Sequence, residues 1–154
     1  MLDYVLTLLI SMVPLIELRV GVPYGIAMGI PWYQALPLCM IGNMIPVPFI
    51  FLFARKLLIW GKDQKVIGGF CRFCLDKGEK GGKKLKEKAG KGIYIALLLF
   101  VGIPLPGTGA WTGTLAASML DLDFKKSVVA VMLGVLLAGA IMTVLSLLGV
   151  MALS

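Results

Sequence analysis

The sequence predicts an all-α integral membrane protein made of two inverted repeats, each a re-entrant helical hairpin followed by a full transmembrane helix. A basic amphipathic cytoplasmic segment joins them. Three observations carry this prediction. The 154-residue chain is 59% hydrophobic, with a mean hydropathy of +0.95, above the roughly 45–50% apolar content of soluble domains. Val20–Ala54, Ile93–Leu120 and Ser127–Ser154 contain no Asp, Glu, Lys or Arg, and charge-free runs of about eighteen residues or more are candidate bilayer spans. Finally, two of those runs are interrupted or preceded by Pro/Gly-rich breaks at the places where an unbroken helix would be half complete.

From the N-terminus, Leu2–Val13 and Val20–Ile30 are half-length apolar pieces flanking PLIELR, Pro14–Arg19. The start has no basic region, carries Asp3, and shows no small-x-small cleavage site before Glu17, so it reads as mature chain rather than a secretory signal. Gln34–Leu58 is long enough to span, about 37 Å as helix, with Pro37, Pro46 and Pro48 bending it. The net charge of +7 is concentrated: twelve of the fifteen Lys/Arg lie between Arg55 and Lys91, two more are Lys125 and Lys126, and the last is Arg19. The positive-inside rule therefore places the 55–91 segment and Leu120–Lys126 in the cytoplasm of a cell inner membrane. Gly29–Gln34 then faces outward, and both termini are external. Val66, Ile67, Phe70, Phe73 and Cys74 fall at helical spacing, which predicts an amphipathic helix on the inner leaflet whose lysines attract anionic lipids. The Lys/Gly-rich run from Lys77 to Gly92 reads as a mobile linker.

The second half poses a counting problem. If both basic segments are cytoplasmic, Ile93–Leu120 must cross the bilayer an even number of times. At its centre stands GIPLPGTGAWTG, Gly102–Gly113, although Gly costs about 1 and Pro about 3 kcal/mol inside a helix. The break leaves Ile93–Ile103 and Ala110–Leu120, each about 16 Å long as helix, roughly half of a hydrocarbon core about 30 Å thick. Two such legs make a hairpin that enters, turns near the midplane and returns. Lys126–Leu153 is again long enough to span. An ungapped shift that lays Pro14 on Pro106 also lays Gly21 on Gly113, Gly42 on Gly134 and Trp32 on Phe124. Gly21, Gly25 and Gly29 recur every fourth residue, as do Gly109, Gly113 and Ala117, the small-residue pattern of closely packed membrane helices. Inverted repeats with broken helices meeting at the midplane are a transporter architecture. The whole chain, 1–154, is one membrane domain: repeat 1–58, basic amphipathic linker 59–92, repeat 93–154.

The chain has no histidine, which removes His-based acid/base chemistry, Ser-His and Cys-His nucleophile pairs and most metal sites. Cys71 and Cys74 form one CRFC, half of a zinc site at most. We therefore expect no enzyme activity, no cofactor and no metal. The basic charge is placed for lipid headgroups rather than nucleic acid.

Glu17 and Arg19 are the only charges between Asp3 and Arg55, and ionisable residues at membrane depth mark functional sites. The second tip, PGTGAWTG, ends where a half-helix begins, so Gly107 and Gly109 bring free N–H groups and a positive dipole end to an anion. Thr108 and Thr112 hydroxyls, the Asn43 amide and Trp111 complete the candidate binding set. Arg19 supplies a positive charge; Glu17 serves as counter-ion or proton carrier. The competing reading is that Glu17 and Arg19 only pair with each other. Trp32, Tyr33, Trp60 and Tyr94 are expected as interfacial anchors.

With Leu15–Gly29 (LIELRVGVPYGIAMG) and Ile103–Ala117 (IPLPGTGAWTGTLAA) in view, the chain resembles the small multi-drug export protein family over almost all its length. It is more distantly similar to the DedA (VTT-domain) membrane proteins. That resemblance implies an exporter on one side and, on the other, return of undecaprenyl phosphate across a bacterial inner membrane by acidic and arginine residues on facing hairpins. Glu17 and Arg19 match the first tip of that pattern. The second tip here lacks the arginine usual in DedA-type proteins, so phosphate recognition would rest on Arg19 and backbone N–H groups.

Three functions follow as expectations. The preferred one is a flippase for an anionic lipid phosphate such as undecaprenyl phosphate, proton-coupled through Glu17. The second is a proton-coupled exporter of lipophilic cations. The third is a non-transporting scaffold whose basic segment recruits partners. A homodimer is expected for so small a bundle.

Overall fold

The computed structural model describes residues 1–89, 92–105 and 107–153, with the side chains at 54, 55, 74, 78, 84–86, 88 and 89 left undescribed. Pro106, the partner assigned to Pro14, and the Cys74 thiol lie outside those limits. Every element among the described residues is helical. They are α1 (Leu2–Met12), α2 (Glu17–Ala27), α3 (Trp32–Met44), α4 (Pro46–Phe49), a π-helical turn at Ile50–Ala54, α5 (Arg55–Gly61), α6 (Gly68–Ala89), α7 (Ile93–Gly102), α8 (Ala110–Met119) and α9 (Phe124–Leu153).

Proline ends the first legs of both halves by the same mechanism. A residue before proline is excluded from helical backbone angles, and Val13 before Pro14 (ψ 130°) and Ile103 before Pro104 (ψ 120°) are both extended. The second legs also stop alike. After α2 the N–H of Ile30 reaches Gly25 O (2.9 Å) and that of Gly29 reaches Ile26 O (3.0 Å). After α8, Leu122 reaches Ala117 O and Asp121 reaches Ser118 O, both at 3.1 Å. Each is a Schellman closure around a left-handed residue, Gly29 at φ 86° and Asp121 at φ 53°.

Trp32–Phe53 and Phe124–Leu153 are long and apolar enough to cross a membrane, with mean hydropathies of 2.0 and 2.7. The first is a composite rod: Pro46 and Pro48 withhold N–H groups from the ladder, and the wider π turn follows directly. α9 is the central post, packed on α2, α3, α7 and α8.

Helix contacts in the two halves match at the glycines. A Cβ on Gly42 would stand 2.8 Å from Leu8 O, and one on Gly134 would stand 2.7 Å from Leu98 O. Gly21 faces Ser11 as Gly113 faces Val101. These contacts are alike in kind, but their first-leg partners do not keep the register that lays Gly42 on Gly134: that register lays Leu8 on Phe100, and Gly134 meets Leu98.

The solvent logic is inverted. Thr7, Ser11, Glu17, Asn43, Thr114, Ser127 and Thr143 are buried, while Phe49, Leu52, Phe53, Leu133, Leu136, Leu145 and Leu148 are exposed on the long helices. Water would penalise so continuous an apolar surface; hydrocarbon does not.

The basic segment differs from expectation. α6 is helical through Ala89, so the stretch read as a mobile linker is ordered helix as far as that residue, and the helix begins at Gly68 rather than Val66. Asp76–Lys80 (2.9 Å) and Glu79–Lys83 (3.5 Å) are i,i+4 ion pairs along it. Gly81 and Gly82 are its contact face: a Cβ on Gly81 would meet Phe100, Ala116 and Thr112, and one on Gly82 would meet Leu120, all at van der Waals distance. The glycines let α6 lie against α7 and α8, where it packs besides α5.

Candidate functional site

The two breaks meet. Pro14 turns the chain after α1, and Leu15 (φ 70°) and Glu17 (φ 53°) take left-handed backbone angles. Both are non-glycine residues in strained conformations, which persist only where surrounding structure holds them. The strain aims the Glu17 carboxylate at the start of α8. Its Oε2 accepts the Ala110 N–H at 3.1 Å and its Oε1 accepts the Trp111 N–H at 2.9 Å. The buried Asn43 side chain stands beside the same carboxylate. Glu17 is 4% exposed and Asn43 is 1% exposed, so the interaction is sealed from the surface.

A helix begins with N–H groups that lack intrahelical partners and with the positive end of its dipole. At α8 this end is filled from within the chain. The N–H groups that the sequence reserved for a ligand are held by Glu17, some ninety positions earlier. Gly109 makes room for it: φ 139° and ψ −177° are glycine-only angles, and a Cβ there would lie 2.6 Å from Glu17 Oε2.

Arg19 reaches the other side of the same break. Nη1 donates to Leu105 O at 2.5 Å and Nη2 donates to Thr108 Oγ1 at 2.7 Å. The Thr108 hydroxyl is itself 2.8 Å from Leu105 O and 3.0 Å from Ile103 O, and it accepts the Leu105 N–H at 3.3 Å. Gly107 (φ 79°) turns the chain between these contacts. Glu17 and Arg19 thus each place short hydrogen bonds on the second break, while their opposite charges also attract each other.

Among the expected set, Glu17, Asn43, Gly109 and the Trp111 backbone form one cluster, and Arg19, Thr108 and Gly107 form an adjoining one. Thr112 stands apart from both: it is buried, with its methyl group turned toward Gly81 of α6. The Leu105 carbonyl, which anchors Arg19, was not foreseen, since a backbone acceptor leaves no mark in a sequence.

The chain matches, over residues 17–141, the family described as "Putative small multi-drug export protein". It belongs to that family. The matched region opens at Glu17 and takes in Glu17 and Arg19 of the first tip, the second tip, the basic segment and most of α9. Membership of a small multi-drug export family, together with two helices of spanning length, identifies a membrane protein. No curated protein and no solved structure matches the chain.

Proposed function

We propose that this family member is an inner-membrane transporter in which two re-entrant hairpins, α1–α2 and α7–α8, enter from opposite faces and meet at an anion-binding site near the midplane. Its preferred cargo is an anionic lipid phosphate such as undecaprenyl phosphate. Three features support the architecture: the recurring order of half helix, break, half helix and long helix; the paired Schellman closures; and the matched glycine contacts. On this reading the basic segment belongs to the cytoplasmic side, with α6 running along the second hairpin toward its tip, and both termini are external.

One observation carries the functional reading: the Glu17 carboxylate occupies the N-terminus of α8. A carboxylate and a phosphate monoester are chemically alike as acceptors. Glu17 therefore acts as a resident stand-in for the cargo. When it takes a proton, it loses the charge that holds it on the two N–H groups, and a lipid phosphate replaces it. Arg19, anchored beside the same break, supplies the compensating charge. Release of the phosphate and loss of the proton restore the resting contact, which couples translocation to protons without an enzyme step.

The test is lipid-phosphate translocation in proteoliposomes. Arg19→Ala abolishes it on this account; normal translocation by that variant removes the reading. The family's description as an exporter favours one alternative, proton-coupled efflux of lipophilic cations. That reading requires dye efflux that survives Arg19→Ala and fails with Glu17→Gln.

A further inference from the structure

An apolar cavity of about 360 Å³ lies against the two tips. Pro14 and Leu15 of the first break form one wall, Trp111 and Leu115 of α8 a second, and Phe70 and Phe73 of α6 a third. Its size is at the small end of the roughly 300–1,000 Å³ typical of small-molecule pockets. Lys77 is the one charged residue among the described residues that line it. The Lys77 ammonium sits 5.6 Å from the Phe73 ring centroid and 4.0 Å from where a Cβ on Gly107 would be. That places it between the cavity and the second break. An apolar chamber bordered by a single cation is complementary to an amphiphile with an anionic head.

We propose that this cavity binds the head-proximal part of a single-chain anionic amphiphile, with its chain against Leu115, Phe70 and Phe73 and its head at Lys77. The site is a loading position for the transport reading above, on which it rests for its role but not for its binding. The head chemistry is that of a phosphate or a carboxylate, and the chain is a linear alkyl or isoprenoid. α6 supplies one wall and the cation, so the basic segment is part of the substrate path rather than a tether.

The experiment uses the full chain in nanodiscs of phosphatidylcholine alone, with Trp32→Phe and Trp60→Phe leaving Trp111 as the sole tryptophan. Dibrominated stearate is titrated while Trp111 emission is read, and dodecyl phosphate, laurate and dodecyltrimethylammonium serve as competitors. Saturable quenching is expected, reversed by the phosphate and the carboxylate but not by the ammonium; whichever of the two anions displaces the probe at lower concentration identifies the head. Lys77→Glu weakens the probe about tenfold, Lys77→Arg retains it, and Leu115→Phe, which fills the chamber, lowers it further. Equal displacement by the cation, indifference to Lys77→Glu, or non-saturable quenching overturns the proposal. Quenching that fails while lipid translocation persists removes this cavity alone. Translocation that fails while anion-selective quenching persists removes the transport reading and leaves the cavity standing.

Discussion

Glu17 and Trp111, 94 positions apart, are joined by a hydrogen bond of 2.9 Å from the Trp111 backbone N–H to the Glu17 carboxylate. With the companion bond from Ala110, it makes the first break of the chain the cap of the helix that follows the second. A buried charge is costly unless hydrogen-bonded; here the cost is met by two N–H groups and a dipole end. The same contact is what a proton would loosen.

Glu17→Gln keeps the shape and removes the charge. One oxygen remains to accept, while the amide nitrogen faces an N–H it cannot satisfy. We expect a loss of about 1–3 kcal/mol, read as a lowered thermal midpoint of the detergent-solubilised protein, together with transport that no longer responds to a proton gradient. An unchanged midpoint would show that the cap contributes nothing.

Gly109→Ala meets both a glycine-only backbone conformation and the carboxylate 2.6 Å away. The expected cost is about 3 kcal/mol or more. Gly29→Ala is the control: its φ of 86° is also left-handed, but no atom lies within 4 Å, so it should lose about 1–2 kcal/mol. Equal effects in a side-by-side unfolding assay would mean that the Glu17 contact does not constrain Gly109.

Gly42→Ala and Gly134→Ala should destabilise in parallel, because each new methyl group meets a backbone carbonyl of the first leg in its own half, Leu8 O at 2.8 Å and Leu98 O at 2.7 Å. Gly149→Ala, with nothing within 4 Å, should be neutral or stabilise by up to about 1 kcal/mol through helix propensity. A large loss for one of the first pair and none for the other would contradict equivalent packing in the two halves.

Arg19→Lys retains charge but not the fork that spans Leu105 O and Thr108 Oγ1. Translocation by Arg19→Lys should fall at least about tenfold, a loss of one charged hydrogen bond, while Thr108→Val should fall less because the Leu105 contact remains. Wild-type rates for Arg19→Lys would show that charge alone suffices.

Much of the helical layout was legible in residues. Ile93–Ile103 and Ala110–Leu120 were expected, and the helices run Ile93–Gly102 and Ala110–Met119, because prolines and glycines act locally. The start of α2 was placed at Val20, three residues late, since the left-handed turn at Glu17 and its bonds to α8 leave no local mark in the sequence. The Lys/Gly-rich run carried its ion pairs in plain view at i,i+4, yet its glycines outweighed them; their use as a flat contact face against Phe100 and Leu120 is a tertiary fact. The candidate site was legible as a set of residues but not as a set of bonds. Sequence offered Glu17 and Arg19 as a pair for one ligand, whereas each holds a different part of the second break.

The central claim is that α7 and α8 enter and leave by the same face. Single cysteines at Gly92 and Lys125, introduced after Cys39, Cys71 and Cys74 are replaced by alanine, report it with a membrane-impermeant maleimide applied to right-side-out and inverted vesicles. Both positions should label from the cytoplasmic side, with Leu2→Cys and Tyr33→Cys labelling from the other. Gly92 and Lys125 found on opposite sides would make Ile93–Met119 a straight crossing and contradict the account.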